Sequence, residues 1–217
     1  MGDLEKATRK ALEFRQRERH ILDVALALFL ELGEERVTVE MIADKVGIGK
    51  GTIYKHFETK NEIYLLLMLR YEEELTELFE RINEADDKDR LTKEYFRFRI
   101  GSPKRYQLFD RLENKLVQEQ VVPELLERLY RMRAANADHL QRIVKARIDE
   151  GTLEDVPPVY HICIAWAFAH GAVALMESNF YQKFIDDEDD FLDFILNIGL
   201  RMGNKGQLGK ADKGRPA

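Results

Sequence analysis

The stretch that decides the fold runs from Thr38 to Glu62 and reads TVEMIADKVGIGKGTIYKHFETKNE. Thr38 stands where a helix N-cap belongs, and Ile42, Ala43 and Val46 follow at helical spacing until Gly47 ends the segment. After the short break at residues 47–49, a third short helix is predicted over residues 50–56. Two short helices joined across a tight glycine turn predict a helix-turn-helix.

The residues on either side complete a helical domain. An apolar stripe within residues 21–32 predicts a first helix, which Gly33 ends as a C-terminal cap. Thr59 and Glu62 form the Thr-x-x-Glu pattern of a capping box and open a long helix. The region before residue 15 is charged, and either an arm or a helical extension of the first helix fits it.

Composition places the chain among soluble helical proteins. Of 217 residues 45% are hydrophobic and 34% are charged, with five prolines and a formal net charge of −6. Residues 1–70 contain as many basic as acidic residues, so the negative excess lies in the remainder. Residues 45–60 contain four lysines, at positions 45, 50, 55 and 60, and one acidic residue, Glu58. This basic strip is where phosphates are expected to bind.

Other function classes have little support in the sequence. We find no apolar run of the ~18–20 residues that a membrane helix needs and no secretory signal, so a cytoplasmic protein without membrane contact is expected. Cys163 is expected to be a buried small hydrophobe. No catalytic residues or cofactor are expected, because the phosphate-loop, dinucleotide, nucleophile-elbow and metalloprotease motifs are missing. No metal site is expected either, because His161 and His170 face opposite sides of one helix and cannot bind the same metal ion.

Residues 21–66 resemble the DNA-binding domain of the TetR (tetracycline-repressor) family. The resemblance rests on Gly33, Thr38, the Ile42-Ala43 pair, Gly47, the Thr52-Ile53-Tyr54 trio, Phe57, and Lys60 with Glu62. Gly49 departs from the pattern, because the family often has serine there, and the hydroxyl contact of that serine to phosphate is lost. The remainder of the chain is similar only in being helical and of suitable length.

The resemblance implies a set of residues that bind double-stranded DNA. Thr38, Tyr54, His56 and Lys60 are implied as backbone contacts, and Lys50, Thr52 and Lys55 as contacts to base edges or nearby phosphates, with Gly51 beside them. Tyr54 has an alternative reading as a core aromatic, and the lysines as ordinary solvated charge. Their coincidence with the helix-turn-helix favours the DNA role.

The part after residue 60 predicts further helices, about nine in all. Pro103 and Pro123 are expected at the first positions of two helices. An almost uncharged helix from Val159 to about Gln182 is expected to be buried on most sides. Five acidic residues at positions 186–190 are expected to begin the last helix. The last two helices resemble the family's dimerisation pair, with a predicted homodimer interface at Ala167, Gly171, Ala174, Phe191, Phe194, Ile195 and Ile198.

A ligand pocket is expected from the same resemblance. Its predicted lining is Phe96, Tyr106, Phe109, Tyr130, Trp166 and His170, for an apolar or aromatic small-molecule effector, although aromatic residues at helical spacing are more often plain core.

The sequence thus predicts an all-α protein with four regions. These are an N-terminal extension (1–14), a helix-turn-helix domain (15–60), a helical ligand-binding and dimerisation domain (61–202) and a disordered tail (203–217). The expected function is a ligand-responsive transcriptional regulator, most often a repressor in this family, on a palindromic operator. The alternative is a helical protein-interaction domain without an effector.

Overall fold

A computed structural model of the chain describes residues 2–81, 88–119 and 122–206. These residues form nine α-helices and one short 3₁₀ helix, with no strand beyond one isolated bridge between Leu153 and Asn204, so the all-α prediction is confirmed. The helices are α1 (Gly2–Leu32), α2 (Val39–Val46), α3 (Lys50–Ile53), α4 (Lys60–Arg81), α5 (Lys88–Ile100), α6 (Pro103–Glu119), α7 (Pro123–Asp149), α8 (Pro158–Met176) and α9 (Glu188–Arg201), with the 3₁₀ helix at Tyr181–Phe184.

The chain divides into two compact units. Unit 1 comprises residues 1–71 and 107–130, and unit 2 comprises residues 72–106 and 131–217. The division between residues 71 and 72 falls within α4, whereas the predicted domain boundary after residue 60 lies at the first residue of that helix. Most of the predicted tail, from residue 207 onward, lies outside the described residues.

Unit 1 is built around the first helix. Ile21, Ala25 and Phe29 on α1 are almost fully buried with Ile42 of α2 and Ile53 of α3, as the apolar periodicity predicts. Residues 2–14 continue α1 without a break, so of the two alternatives for the N-terminus the structure adopts the helical extension. The first helix ends at Gly33, whose φ of 86° lies in the left-handed region that glycine adopts without strain.

Unit 2 has its own apolar core. Phe96 of α5, Ala169 and Val173 of α8, and Ile195 and Leu196 of α9 are buried together in it. Gly199 of α9 lies so close to Phe96 that a β-carbon on it would come within 2.6 Å of the ring. A glycine is therefore needed where α9 meets α5.

The helix α8 differs from its prediction in length and in burial. It ends at Met176, because the Ser178 hydroxyl accepts hydrogen bonds from the backbone N–H groups of Phe180 (3.3 Å) and Tyr181 (3.4 Å), an arrangement that competes with helix continuation. Its buried residues are Ala169, Ala172 and Val173. The prediction that this helix is buried on most sides is wrong for the single chain, because no element among residues 2–81, 88–119 and 122–206 covers much of its remaining apolar surface.

Two further expectations about α8 need correction. Cys163 is exposed, since it lies on the uncovered part of the helix. Among the described residues, α8 is the one helix whose 19-residue length and composition would suit a membrane crossing, whereas the sequence was read as having no such run. The helix meets that criterion because it contains no Asp, Glu, Lys or Arg.

Candidate nucleic-acid interface

Caps and turns hold the two short helices in place. The Thr38 hydroxyl accepts a hydrogen bond from the backbone N–H of Met41 at 3.3 Å and so caps α2. At the other end of α2, Gly47 has a φ of 78°, and the N–H groups of Gly47 and Ile48 both donate to the Ala43 carbonyl, at 2.9 and 3.0 Å. This closed turn sets the direction in which α3 begins.

The short α3 helix has one buried side and one exposed side. Ile53 and Phe57 are each 1% exposed and anchor it in unit 1. Lys50, Gly51 and Lys55 are exposed, Thr52 is half-buried, and Tyr54 is 46% exposed. The structure therefore places most of the predicted DNA-binding residues together on one solvent-facing surface, which we call the α3 face (residues 50, 51, 52, 54 and 55).

Lys50 already has an acidic neighbour. Its ammonium forms an ion pair with Glu40 of α2 and lies 5.8 Å from the centre of the Tyr54 ring. The hydrogen bond between the two side chains lowers the pKa of Glu40 and raises the pKa of Lys50. Because both groups are exposed, the pair contributes little to stability and Lys50 is free to exchange Glu40 for another anion.

His56 is half-buried, unlike the exposed Lys50, Tyr54 and Lys55 of the predicted set. Its ring stacks on Phe14 of α1 with the ring centres 4.0 Å apart, and its Nδ1 is buried with no hydrogen-bond partner. Burial lowers the pKa of His56, so the ring is neutral at pH 7. A neutral imidazole covered by Phe14 offers less to a phosphate than the sequence-based role implies.

Lys60 is turned toward the protein in this structure. Its ammonium donates a hydrogen bond to the Glu34 carbonyl at 2.6 Å and lies over the ring of Tyr64, 5.4 Å from its centre. Burial lowers the pKa of Lys60. A phosphate contact from Lys60 therefore requires this side chain to leave the Glu34 carbonyl, to which the Tyr64 hydroxyl also donates, at 3.0 Å.

Sequence reasoning missed the groups that hold the turn after α1. Glu34 is 8% exposed and accepts two hydrogen bonds from Arg111 of α6, while Lys115, one turn later, pairs with the exposed Glu35 at 2.7 Å. Nothing in the local pattern of α6 distinguishes Arg111 from other surface arginines, so no sequence signal was available to find it.

Four of the six predicted ligand-binding residues belong to unit 2 and two belong to unit 1. Tyr106, Trp166 and His170 of unit 2 meet one another: the Tyr106 hydroxyl and His170 Nδ1 share a hydrogen bond at 2.5 Å, and the Trp166 ring lies 4.6 Å from that of His170. Phe109 and Tyr130 belong to unit 1, where Phe109 packs on Tyr71 and Tyr130 is 42% exposed.

A cavity of about 90 Å³ does exist in unit 2, between α5, α7, α8 and α9. Of the six predicted residues, Phe96 lines it. The prediction missed most of its lining because polar and aliphatic side chains contribute more of the wall than aromatic ones.

The predicted interface residues fall into two groups. Ala167, Gly171 and Ala174 of α8 are exposed along one side of the helix, and Phe194 and Ile198 of α9 are 61% and 39% exposed, with Phe191 half-buried. Ile195 is instead 5% exposed and part of the unit 2 core. Its assignment to the interface does not agree with this buried position, since Ile195 lies about 100° around α9 from the exposed Phe194.

The fold and the capped α2–turn–α3 arrangement define a helix-turn-helix protein, and sequence comparisons show which family this part of the chain matches. Residues 21–67 match the family described as bacterial regulatory proteins, tetR family. The chain is similar to the nucleoid occlusion factor SlmA of Haemophilus ducreyi (35% identical over 63 residues, 29% of this chain and 31% of that protein). It is also similar to the HTH-type transcriptional regulator AcrR of Shigella flexneri (41% over 59 residues, 27% and 26%).

Similar solved structures extend the likeness of fold to most of the chain. The TetR family transcriptional regulator PfmR from Thermus thermophilus superimposes with a TM-score of 0.64 at 19% identity, covering 83% of this chain and 97% of that one. The match to the tetR family covers residues 21–67, and the likeness beyond them is one of fold. In sequence the chain spans about a third of the curated relatives that it matches. The family that residues 21–67 match is one of regulatory proteins, in agreement with the expectation that the chain is not an enzyme.

Proposed function

We propose that the chain is a dimeric transcriptional regulator of the cytoplasm that binds double-stranded DNA through the α3 face. The observation that carries the proposal is the exposed set of Lys50, Tyr54 and Lys55 on a helix whose other side is anchored by Ile53 and Phe57. Surface of this chemistry, on the second helix of a helix-turn-helix, suits the DNA major groove.

Groups on the α3 face and next to it in the sequence have roles that their chemistry supports. The Thr38 hydroxyl and the Tyr54 hydroxyl suit phosphate oxygens, and Lys55 adds a charge beside them. Lys50, at the start of α3, suits the O6 and N7 acceptors of guanine and exchanges its Glu40 partner for them. His56 and Lys60 join as backbone contacts after small side-chain movements, Lys60 by leaving the Glu34 carbonyl.

Dimerisation follows from two separate considerations. A single short recognition helix contacts few base pairs, whereas a two-fold dimer reads two halves of a palindromic operator. The exposed small residues of α8 and the exposed Phe194 and Ile198 of α9 form an apolar surface of the kind that a second copy covers. Burial of α8 in such an interface also accounts for its apolar composition without a membrane.

Repression and release by a small apolar effector complete the proposal. Support for them comes from the family resemblance and from the cavity in unit 2. A helical interaction domain without DNA or effector is the competing function, and the experiment below distinguishes the two.

The test is the salt dependence of duplex binding by the full chain. A protein that neutralises several phosphates releases counterions, so the affinity for a fluorescent duplex of random sequence falls steeply as salt rises. Lys55→Ala is expected to flatten the slope of log affinity against log salt by about one. Lys93→Ala, which removes an exposed lysine on α5, is the matched control and leaves the slope unchanged. Failure to bind duplex, or equal slopes for both variants, contradicts the proposal.

A further inference from the structure

The cavity in unit 2 has an apolar wall with one permanent charge. Leu140, Ile143 and Val144 of α7 and Ile162 and Ala165 of α8 supply most of the apolar surface. No aspartate or glutamate lies among the lining residues. The guanidinium of Arg147, on α7, is the exception to this apolar character.

The guanidinium of Arg147 has weak hydrogen-bond partners among the described residues. The Arg147 side chain is 14% exposed, and its Nε is buried with no hydrogen-bond partner. Its two terminal nitrogens reach Thr92 Oγ1 at 3.4 Å and Asp89 Oδ1 at 3.5 Å, and the Asp89 side chain is 63% exposed. A strong guanidinium–carboxylate pair has N–O distances of about 2.7–2.9 Å, so these contacts are weak.

His161, which also lines the cavity, does not supply the missing anion. Its Nε2 lies 3.0 Å from the Glu154 carbonyl, and because a carbonyl only accepts, Nε2 carries the hydrogen. The ring is thereby held in place, and it is neutral or cationic in either protonation state. Among the described residues that line the cavity, there is consequently one permanently positive group and no carboxylate.

We propose that this cavity binds a small apolar monocarboxylic acid, whose carboxylate pairs with Arg147 and whose hydrocarbon part lies against α7 and α8. A buried guanidinium without a close partner gains most from a carboxylate, which accepts two of its hydrogen bonds at once. The role of this acid as effector of the regulator rests on the function proposed above. Its binding to the protein, however, is measurable without DNA.

The volume limits the size of the ligand. One water needs about 10–15 Å³ of such space, so 90 Å³ holds roughly six to nine waters and a ligand of about as many non-hydrogen atoms. Benzoate and hexanoate are of this size. Drug-sized compounds, whose pockets measure about 300–1,000 Å³, are too large.

The experiment compares benzoate with benzamide, its uncharged isostere, by isothermal titration of the full-length protein in the absence of DNA. Benzoate is expected to bind at least tenfold more tightly than benzamide, because a hydrogen bond to a charged group is stronger than one to a neutral group. In Arg147→Met, which keeps the volume and removes the charge, benzoate loses at least tenfold in affinity while benzamide is unchanged. Arg142→Met, an exposed arginine on the same helix, is the control and binds benzoate like the unmodified chain.

Three results would overturn the proposal. They are equal affinity for benzoate and benzamide, unchanged benzoate binding in Arg147→Met, and no binding of benzoate or hexanoate. Retained benzamide binding shows that the variant is folded, and Ala165→Phe, which fills the cavity, is expected to abolish binding of both ligands. Because no DNA is present, failure here leaves the DNA-binding proposal intact, and failure to bind DNA leaves this result intact.

Discussion

Arg111 of α6 holds Glu34, in the turn after α1, by two parallel hydrogen bonds, from Nε to Oε1 at 2.9 Å and from Nη2 to Oε2 at 3.1 Å. The Glu34 side chain is 11% exposed, whereas that of Arg111 is 52% exposed. The same glutamate offers its backbone carbonyl to Lys60 and Tyr64. One residue thus joins three helices of unit 1 at the point where the helix-turn-helix begins.

The first prediction concerns the strength of this pair. Arg111→Met is expected to lower the free energy of unfolding by about 1–2 kcal/mol, because it leaves a largely buried carboxylate without its bidentate partner. Urea unfolding at pH 7, followed by circular dichroism, measures the loss. Lys115→Met is the matched control: its partner Glu35 is 72% exposed, so a loss within about 0.5 kcal/mol is expected. Equal losses in the two variants would contradict this account.

The second prediction concerns acid. The hydrogen bond from Arg111 is the largest cause that lowers the pKa of Glu34 below its ordinary value. Because the folded-state pKa lies below the unfolded one, the ionised carboxylate stabilises the fold above its unfolded pKa and loses that contribution as pH falls through the folded pKa. Glu34→Gln is therefore expected to be less stable than the unmodified protein at pH 7, with the gap closing below about pH 4. A gap that stays constant from pH 7 to pH 3 would show that the charge is not responsible.

A third prediction addresses Phe14 and His56. Burial is the largest cause of the lowered pKa of His56, and Phe14 covers its ring. Phe14→Ala is expected to move that pKa up toward the ordinary histidine value, as measured by NMR titration. Since a lowered histidine pKa costs stability as pH falls through it, the variant also loses less stability between pH 7 and pH 5. Leu12→Ala, an exposed position on the same helix, serves as control, and an equal shift there would refute the role of Phe14.

A fourth prediction tests the apolar surface of α8 and α9. Light scattering after size-exclusion chromatography is expected to give a dimer for the unmodified chain at micromolar concentration and a monomer for Phe194→Glu. A charge at a buried, uncompensated interface position costs several kcal/mol of association. Leu12→Glu, which alters an exposed apolar residue on α1, is expected to remain dimeric. A monomeric unmodified chain would remove the dimer from the proposal.

Local features were the predictable ones. The N-cap at Thr38, the left-handed Gly47 and the prolines at the starts of α6 and α7 follow from short-range chemistry, and the structure confirms them. The capping box is confirmed in part: the Glu62 N–H donates to the Thr59 hydroxyl at 3.1 Å, but the Glu62 carboxylate accepts from the Glu58 N–H instead of that of Thr59.

Features that depend on distant residues were not predictable. Glu34 and Arg111 are 77 positions apart, and no periodicity within either segment indicates that they meet. The inward turn of Lys60 depends on the Glu34 carbonyl, and the position of Ile195 in the core depends on which side of α9 faces α5. The cavity around Arg147 is lined by residues from four helices that are far apart in the sequence. The pattern within any one helix therefore does not indicate that the cavity exists.

The central claim is that the α3 face recognises a DNA sequence, and selection of genomic fragments tests it most directly. Full-length protein is incubated with sheared genomic DNA of the organism that encodes it, and bound fragments are sequenced beside those bound by the Lys50→Ala/Lys55→Ala variant. The account predicts fragments that share an inverted repeat, with half-sites about one helical turn or a multiple of it apart, and their loss in the variant. Fragments enriched no more by the unmodified protein than by the variant would contradict it.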